Sequence, residues 1–478
     1  MTDWTIMVYI SADDVLANFA IESLNQLRRA AGDNIVVMAQ FDPDGKQSAR
    51  RFRFDGQDDS NAPLNTTELQ PISPVEMIDP GTLTHFVDWA STPPDGREAK
   101  HYCLILWGHG TELLLDQDPS TSTPRYLTPA NLKKALQDTR LVKGGNPLDV
   151  IGFDACSMSM VELASELRGC VRFMVASQEE VPDQSFPYEQ LLTNLKNHDR
   201  DDVEGVCRTI PQIYKRAFQD YVVTPGTGMK EVTLSSLSLE RIDTITNPLQ
   251  RLAQTLQTSI SNQDLVNAII LARRYSRDFV LGLFVDLSDF CDKLAAGLLD
   301  KPLADKNTND ALAYACKEVR DAIGVGPCVI GNQTGVKAAN CHGVSIYFPF
   351  SNAPNEEGQS QALLGANQTG IVNVPLVKGG TNILRKARSG RIEELESDFR
   401  RLRVFQETGW GKFIAHGWSS VLAHRFPKSL DLHYSAQQCA RNLLSRPEQQ
   451  KLQILSKAPE KGMLPSRGPE YQEQPQAS

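Results

Sequence analysis

The chain has 478 residues, of which 41% are hydrophobic and 22% are charged, and its formal net charge is −9 at pH 7. This length and composition are typical of a soluble globular protein that buries a large core and is built from two or three lobes. The acidic balance argues against non-specific binding to nucleic acid, so we expect no nucleic-acid partner.

Buried strands alternate with helices through the first 200 residues. Continuous apolar runs predict strands at 4–11, 34–42, 101–107, 148–155 and 171–177, and alternating residues predict an edge or hairpin strand at 48–55. Apolar residues at helical spacing fill the intervals, and one helix begins with Thr128 as its cap and Pro129 in its first turn. This order predicts an α/β fold whose mainly parallel sheet is flanked by helices on both faces.

The pattern changes after residue 200. Residues 201–325 are mostly helical in spacing, with strand-like runs at 229–239 and, further on, at 342–350. The chain from 351 to 372 is loop-like, and the tail is polar and rich in proline. We therefore predict four parts. An α/β catalytic core at 1–200 is followed by a helical insertion at 201–350, whose strands complete the core. A C-terminal helical and loop region follows at 351–455, and a disordered tail at 456–478.

The compartment is inferred from cysteine usage and from apolar runs. The nine cysteines are scattered without a CxxC pair, which indicates neither a zinc ribbon nor a disulfide framework. No stretch approaches the roughly 18 uninterrupted apolar residues of a membrane span. The N-terminal sequence MTDWTIMVYISADD lacks the features of a signal peptide. We therefore expect a cytoplasmic protein without a membrane partner.

Two of the predicted strands end abruptly in reactive side chains. WGHG ends the third buried strand and DACSM ends the fourth, and Cys156 follows His109 by 47 residues. That interval has room for one helical crossover, which makes the two strands neighbours, and ligands bind beyond the carboxyl ends of such strands. We predict that Cys156 is a nucleophile and that His109 manages its proton.

The residues around His109 and Cys156 support these predicted catalytic roles. Gly108 and Gly110 let the chain turn sharply and approach a substrate closely. The backbone amides of Gly110 and Cys156 are predicted to bind a developing oxyanion. The N-terminus of the helix that follows Cys156 is expected to favour the thiolate.

The motifs WGHG and DACSM resemble the histidine and cysteine motifs of clostripain-type cysteine peptidases, in the clan that includes caspases, gingipains and legumain. Further segments are similar to clostripain relatives, namely VYISADDVLANFAIESLNQL, MSMVELASEL, ASQEEVPDQSFPY and GVSIYFP. The resemblance covers residues 4 to about 350, although GHGTE departs from the more glycine-rich run of many relatives. It implies a caspase-like sheet with flanking helices and cysteine endopeptidase activity.

Acidic residues surround the cysteine motif. Asp154 lies two residues before Cys156, so both side chains point to one side of a strand, where a carboxylate raises the pKa of the thiol unless a cation is near. A substrate lysine or arginine is such a cation, and the resemblance implies the same preference for a basic residue before the scissile bond. We predict that Asp154 and Asp183 bind that residue, with Glu179 and Glu180 behind. The alternative is a helix cap at Asp154 and a solvated pair of glutamates.

The segment between the two motifs is polar and proline-bearing in its middle. Clostripain relatives are often activated by a cut between histidine and cysteine, and this resemblance makes Arg125 the first candidate for self-cleavage, with Arg140 and Lys143 as competitors. A plain surface loop is the alternative.

Asp116 and Asp118 are candidate ligands for Ca²⁺. Some relatives need this ion, but two acids in a loop are a weak signal. We predict no other metal site.

These features together predict a cysteine endopeptidase that cleaves proteins or peptides after Arg or Lys. We expect a zymogen or otherwise regulated enzyme of a bacterial stress or defence pathway, with a regulatory protein or an upstream activating protease as partner. The alternatives are a catalytically silent scaffold that docks partners through 201–478 and a cysteine-dependent amidase of small molecules. His101 and His342 are interpreted as structural, and His416 is a minor alternative base.

Overall fold

The computed structural model describes most of the chain up to residue 348 and a short segment further on. The described residues are 2–12, 16–43, 49–57, 64, 68–72, 75–92, 98–110, 114–116, 125–219, 232–279, 284–324, 327–335, 338–348, 402–418 and 421. Within these ranges only the backbone is described for 68–71, 114–116, 125–126 and 415–416. The predicted tail at 456–478 and most of the region at 351–455 lie outside the described residues.

The centre of the molecule is a nine-stranded sheet. Its strands in chain order are β1 (Thr2–Ser11), β2 (Ile35–Asp42), β3 (Arg50–Phe54), β4 (Glu68–Pro71), β5 (Ala99–Trp107), β8 (Leu148–Asp154), β9 (Val171–Ala176), β10 (Thr233–Ser238) and β13 (Val329–Thr334). They lie side by side in the order β13-β10-β9-β8-β5-β1-β2-β3-β4. The five adjacent strands β9, β8, β5, β1 and β2 are parallel to one another. On each side two further strands are added, and each of these is antiparallel to the strand before it.

Small strands complete the β-structure of the described residues. A hairpin is formed by β6 (Leu114–Asp116) and β7 (Arg125–Leu127), and a second sheet contains β11 (Asp278–Phe279), β12 (Phe284–Asp286) and β14 (Ser345–Tyr347). The strand predicted at 229–239 is β10, which lies between β9 and the edge strand β13 of the large sheet. The residues beyond 200 therefore add β10 and β13 to the sheet of the first 200.

Helices cover both faces of the large sheet. They are α1 (Ala17–Ala30), α2 (Pro80–Ser91), α3 (Pro129–Asp138), α4 (Arg140–Lys143), α5 (Val161–Glu166), α6 (Tyr188–Asn197), α7 (Val203–Ala217), α8 (Asp243–Ser259), α9 (Gln263–Tyr275), α10 (Leu287–Asp300), α11 (Lys306–Gly324), α12 (Arg403–Thr408) and α13 (Trp410–Lys412), with a π turn at Phe413–Trp418. As predicted, Thr128 caps α3, accepting a hydrogen bond from the amide of Asn131 at 3.1 Å. Among the described helices, none is long and apolar enough to cross a membrane.

Two hydrophobic clusters bury the two faces of the sheet. Ile6 of β1 packs with α1, α6 and α7 on one face, and its neighbour Met7 packs with α2, α3, α5 and α8–α11 on the other. Successive residues of a strand point to opposite faces, so a strand covered on both sides is apolar throughout. All seven residues of β8 are buried for this reason. The structure confirms the predicted fold class, a mainly parallel sheet flanked by helices.

Helix α5 joins the large sheet to later parts of the chain through two buried carboxyl groups. Glu162 is fully buried, and its Oε1 accepts a hydrogen bond from the amide of Tyr347 at 2.7 Å. Glu166 accepts from the amide of Arg403 at 2.9 Å and from Nζ of Lys133 at 2.8 Å. Strand β14 and helix α12 are thus anchored on the first helix after the cysteine motif.

Glu162 predicts a pH dependence of stability. Burial raises the pKa of its carboxyl to about 7 from an ordinary value of 4.5. Between these values the unfolded chain loses the proton and the folded chain keeps it, so the free energy of unfolding falls as the pH rises, by about 3 kcal/mol in all. Because glutamine does not ionise, Glu162→Gln should gain stability relative to the native chain between pH 5 and pH 8, measured by urea unfolding. A difference that stays constant over this range would contradict the prediction.

Candidate functional site

The histidine and cysteine motifs leave the same rim of the sheet. Strands β5 and β8 are parallel neighbours, and their last residues, Trp107 and Asp154, are paired in register. His109 and Cys156 each lie two residues beyond that pair, and the amide of Gly108 donates to the carbonyl oxygen of Asp154 at 3.3 Å. The spacing of the motifs therefore predicted correctly that the two strand ends meet.

Two glycines allow the histidine loop to pack closely. Gly108 has a φ of 154°, and a Cβ at this position would lie 2.7 Å from the carbonyl oxygen of Ser11. A Cβ on Gly110 would lie 2.4 Å from the carbonyl oxygen of Cys156 and 2.6 Å from its nitrogen. No side chain fits at such distances, so glycine at position 110 is what brings the backbone after His109 against the backbone of Cys156.

The thiol of Cys156 is covered by the loop between β9 and α6, residues 177–187. The amide of Val181 in this β9–α6 loop donates to Sγ of Cys156 at 3.3 Å, and the amide of Ser157 donates to the carbonyl oxygen of Glu179 at 3.0 Å. Burial raises the pKa of the thiol to about 12, with further contributions from Glu180 and Asp183. A thiol with this pKa is protonated at neutral pH, so the conformation of the structure does not stabilise the thiolate that would act as a nucleophile.

The predicted help from a helix N-terminus is wrong. Helix α5 begins at Val161, five residues after Cys156, and it is only six residues long. The chain between them includes Ser157, whose φ of 58° is left-handed. Because the effect of a helix dipole falls off within the first turn, α5 is not positioned to stabilise a thiolate at residue 156.

Asp154 lies beneath the β9–α6 loop. Its side chain is buried, and Oδ2 accepts hydrogen bonds from the amide of Phe186 at 2.9 Å and from the hydroxyl of Tyr188 at 2.6 Å. Burial raises the pKa of this carboxyl to about 7, while both hydrogen bonds oppose the increase. In this conformation the carboxyl therefore anchors the loop, and its predicted contact with a substrate cation stays a prediction.

The other predicted pocket acids lie in the loop itself and have different surroundings. Asp183 is half-buried, and burial raises the pKa of its carboxyl, with an opposing effect from nearby His109. Glu180 is also half-buried and acts on the pKa of Cys156. Glu179 is instead paired with the guanidinium of Arg277. Asp183 and Glu180 are therefore close to Cys156 and Asp183 is also close to His109, whereas the carboxylate of Glu179 contacts Arg277, which was not predicted.

Two further histidines are held by carboxylates away from these motifs. The ring of His101 lies 3.3 Å from Asp149 and from Asp201. Nδ1 of His342 lies 2.9 Å from Asp286, and this hydrogen bond raises the pKa of the imidazole. Both contacts fit the structural interpretation. The side chain of His416 lies outside the described residues.

The candidate cleavage sites lie in the hairpin strand β7 and in helix α4, and one of the two candidate calcium ligands lies in β6. Arg125 begins β7 and pairs in register with Asp116 of β6, and the side chains of both lie outside the described residues, as does Asp118. Arg140 and Lys143 are the first and last residues of α4 and are exposed. In the part of the chain that is described, three or more side chains suited to a metal ion do not cluster anywhere.

Comparison with known proteins places this geometry in context. The model of the clostripain family, peptidase family C11, matches residues 8–416. The chain is similar to the X-ray structure of an inactive zymogen C11 protease from Parabacteroides distasonis, at 18% identity and a TM-score of 0.54, over 85% of this chain and 99% of that chain. It is also similar to a secreted C11 cysteine protease from Bacteroides thetaiotaomicron in complex with an irreversible peptide inhibitor, at 18% identity and a TM-score of 0.52, over 76% and 97%. No curated protein sequence matches the chain.

Proposed function

Because the chain belongs to the clostripain family of cysteine peptidases, we propose that it is an endopeptidase that cleaves after Arg or Lys through a dyad of Cys156 and His109. The observation that carries this proposal is the close packing of Gly110 against the backbone of Cys156, at the ends of two neighbouring parallel strands. A third, orienting residue is not required by the geometry.

The chemistry follows from these positions. Sγ of Cys156 attacks the scissile carbonyl carbon, while His109 accepts the thiol proton and later donates it to the leaving amine. The amides of Gly110 and Cys156 are close enough to stabilise the same developing oxyanion. A thioester then forms, and water hydrolyses it with His109 again as base.

The preference for a basic residue is supported by the charges around the thiol. Glu180, Asp183 and Asp154 all act to raise the pKa of Cys156. A lysine or arginine side chain bound among these acids would offset their effect and favour the thiolate. A neutral or acidic side chain would not offset the charge of these acids, so the same acids would favour a basic substrate.

A set of matched peptides tests this proposal. The peptides differ in the residue before the scissile bond, which is Arg, Lys, Leu or Asp, and cleavage products are identified by mass spectrometry. We expect cleavage after Arg and Lys, by the native chain and not by Cys156→Ala. Cleavage after Leu or Asp instead would overturn the pocket assignment, whereas hydrolysis of small amides alone would favour an amidase, and no hydrolysis, even by a chain that has been cut between the two motifs, would favour a scaffold.

We further propose that the protein is made as a zymogen in the cytoplasm and is activated by a cut after Arg125, by itself or by an upstream protease. Arg125 is the first residue of the short hairpin strand β7, whereas Arg140 and Lys143 belong to a helical turn, which is a poorer substrate for proteolysis. The raised pKa of the covered thiol supports an inactive uncut form.

Arg125→Gln is therefore expected to abolish a cut between the two motifs. Purified protein is incubated, separated on a denaturing gel, and the new N-terminus is sequenced. The native chain should give a fragment that begins at Tyr126, and Arg125→Gln should stay intact, as should Cys156→Ala if the cut is made in cis. Arg140→Gln serves as the control and should be cut normally. A native chain that stays intact and is fully active would refute the proposed activation.

A further inference from the structure

We propose that Arg277 is a positioning residue of the active site, which holds the β9–α6 loop against the nucleophile through Glu179. The inference rests on the proposed function of Cys156, but it concerns residues 98 positions apart that no motif connects. It also gives the small sheet of β11, β12 and β14 a role in catalysis.

The Glu179 end of this contact reaches the nucleophile directly. The carbonyl oxygen of Glu179 accepts the amide of Ser157, the residue after Cys156, at 3.0 Å. The amide of Glu179 donates to Oγ of Ser177 and to Oγ1 of Thr233, both at 3.1 Å. Ser157 has a left-handed φ, which is costly for a residue other than glycine, and the hydrogen bond of its amide to Glu179 helps to hold this conformation. The position of Glu179 therefore controls the geometry of Cys156.

The Arg277 end is fixed by backbone contacts. The amide of Arg277 donates to Oδ2 of Asp289 at 2.8 Å, and its carbonyl oxygen accepts the amide of Asp286 at 2.9 Å. Both acids lie at the start of α10, where Asp286 caps the helix. The guanidinium therefore projects from a rigid turn. Its side chain is 16% exposed and that of Glu179 is 13% exposed, so the pair is largely shielded from water.

A second contact holds the preceding residue of the loop from the same side. Nε2 of Gln178 donates to Oδ2 of Asp286 at 3.0 Å, and its Oε1 accepts the amide of Gly343 at 2.8 Å. Asp286 also accepts from Nδ1 of His342 at 2.9 Å. Two consecutive loop residues are thus bound to Arg277 and Asp286, which are hydrogen-bonded to each other at the end of the β11–β12 ladder, so this end of the small sheet supports the loop.

The alternative role for Glu179 is the one predicted from sequence, a carboxylate that binds the basic side chain of the substrate. The two roles differ in which kinetic constant changes. If Glu179 binds substrate, removal of Arg277 removes a competing cation from its carboxylate and lowers KM for arginine peptides. If Arg277 positions the loop, its removal displaces Ser157 and Cys156 and lowers kcat, while KM changes little.

The experiment compares Arg277→Gln, Arg277→Lys, Glu179→Gln and a control, Arg251→Gln, which removes an ion pair between α8 and α11 at 2.7 Å. Peptide cleavage gives kcat and KM, and alkylation of Cys156 by iodoacetamide gives a readout that needs no substrate. We expect Arg277→Gln to lower kcat by about 10²-fold and to change the alkylation rate, with KM nearly constant. Arg277→Lys should recover part of kcat, and Arg251→Gln should behave as the native chain.

The double variant Arg277→Gln/Glu179→Gln tests whether the two residues act as a unit. Their effects should not add, so the double variant should lose no more kcat than Glu179→Gln alone. Native kcat and alkylation in Arg277→Gln, or a lowered KM with native kcat, would overturn the proposal. If the native chain fails to cleave after Arg, the proposed specificity fails, and the alkylation rates still decide the role of Arg277.

Discussion

Cys156→Ala is expected to lower kcat for an arginine peptide by about 10⁶-fold, because the only atom that can attack the carbonyl is lost. The thiol lies just beyond the carboxyl end of β8, beside the loop of His109. The measurement is the rate of product formation from a fluorogenic arginine peptide at saturating substrate. The enzyme concentration is raised until the residual rate of the variant can be measured.

Cys103→Ala is the matched control for this prediction. Cys103 is also half-buried, but it lies in the middle of β5, paired with Val150, away from the strand ends. Burial raises the pKa of its thiol to about 12, as at Cys156, so thiol pKa alone does not distinguish the two residues. Position does. Native activity in Cys156→Ala, or a comparable loss in Cys103→Ala, would show that the nucleophile has been misassigned.

Gly110→Ala is expected to lower kcat by about 10²- to 10³-fold while the protein still folds. The new methyl group would lie 2.4 Å and 2.6 Å from the backbone oxygen and nitrogen of Cys156. Atoms this close must separate, and neither is the end of a flexible side chain. The displacement moves the amides proposed to bind the oxyanion and shifts the loop of His109 away from the thiol. Steady-state kinetics measure the loss, and thermal unfolding verifies the fold.

Gly297→Ala is the control for the added methyl group. Gly297 lies within α10, and a Cβ there would meet nothing within 4 Å. Alanine should therefore leave kcat unchanged and stabilise the helix by about 1 kcal/mol. If Gly110→Ala retained native kcat, the close packing of the two motifs would have no catalytic importance.

Much of the fold could be predicted because strands covered on both faces are apolar throughout. The predicted strands at 4–11, 34–42 and 148–155 agree with β1, β2 and β8 to within two residues at each end. Strand β13, with the sequence VIGNQT, was not predicted, since polar and glycine residues mask an antiparallel strand at the sheet edge. Such a strand gains its order from the neighbour β10 rather than from local propensity.

The site was predicted only where the sequence carries local signals. Glycines beside a histidine and a cysteine after an apolar strand are visible in short windows, and the positions of His109 and Cys156 followed from them. The ion pair of Glu179 with Arg277 joins residues that are distant in sequence, and neither end has a motif. The hydrogen bonds of Asp154 to Phe186 and Tyr188 depend on how the β9–α6 loop folds back, which no periodicity encodes.

The most direct test of the dyad is labelling with an arginine chloromethylketone, followed by peptide mapping of the modified residue. The reagent carries the basic side chain that the acids are proposed to bind, and the remaining cysteines of the chain serve as internal controls. The dyad predicts one label per chain, on Cys156, with a much slower reaction in His109→Ala. A label on another cysteine, or an equal rate in His109→Ala, would contradict it.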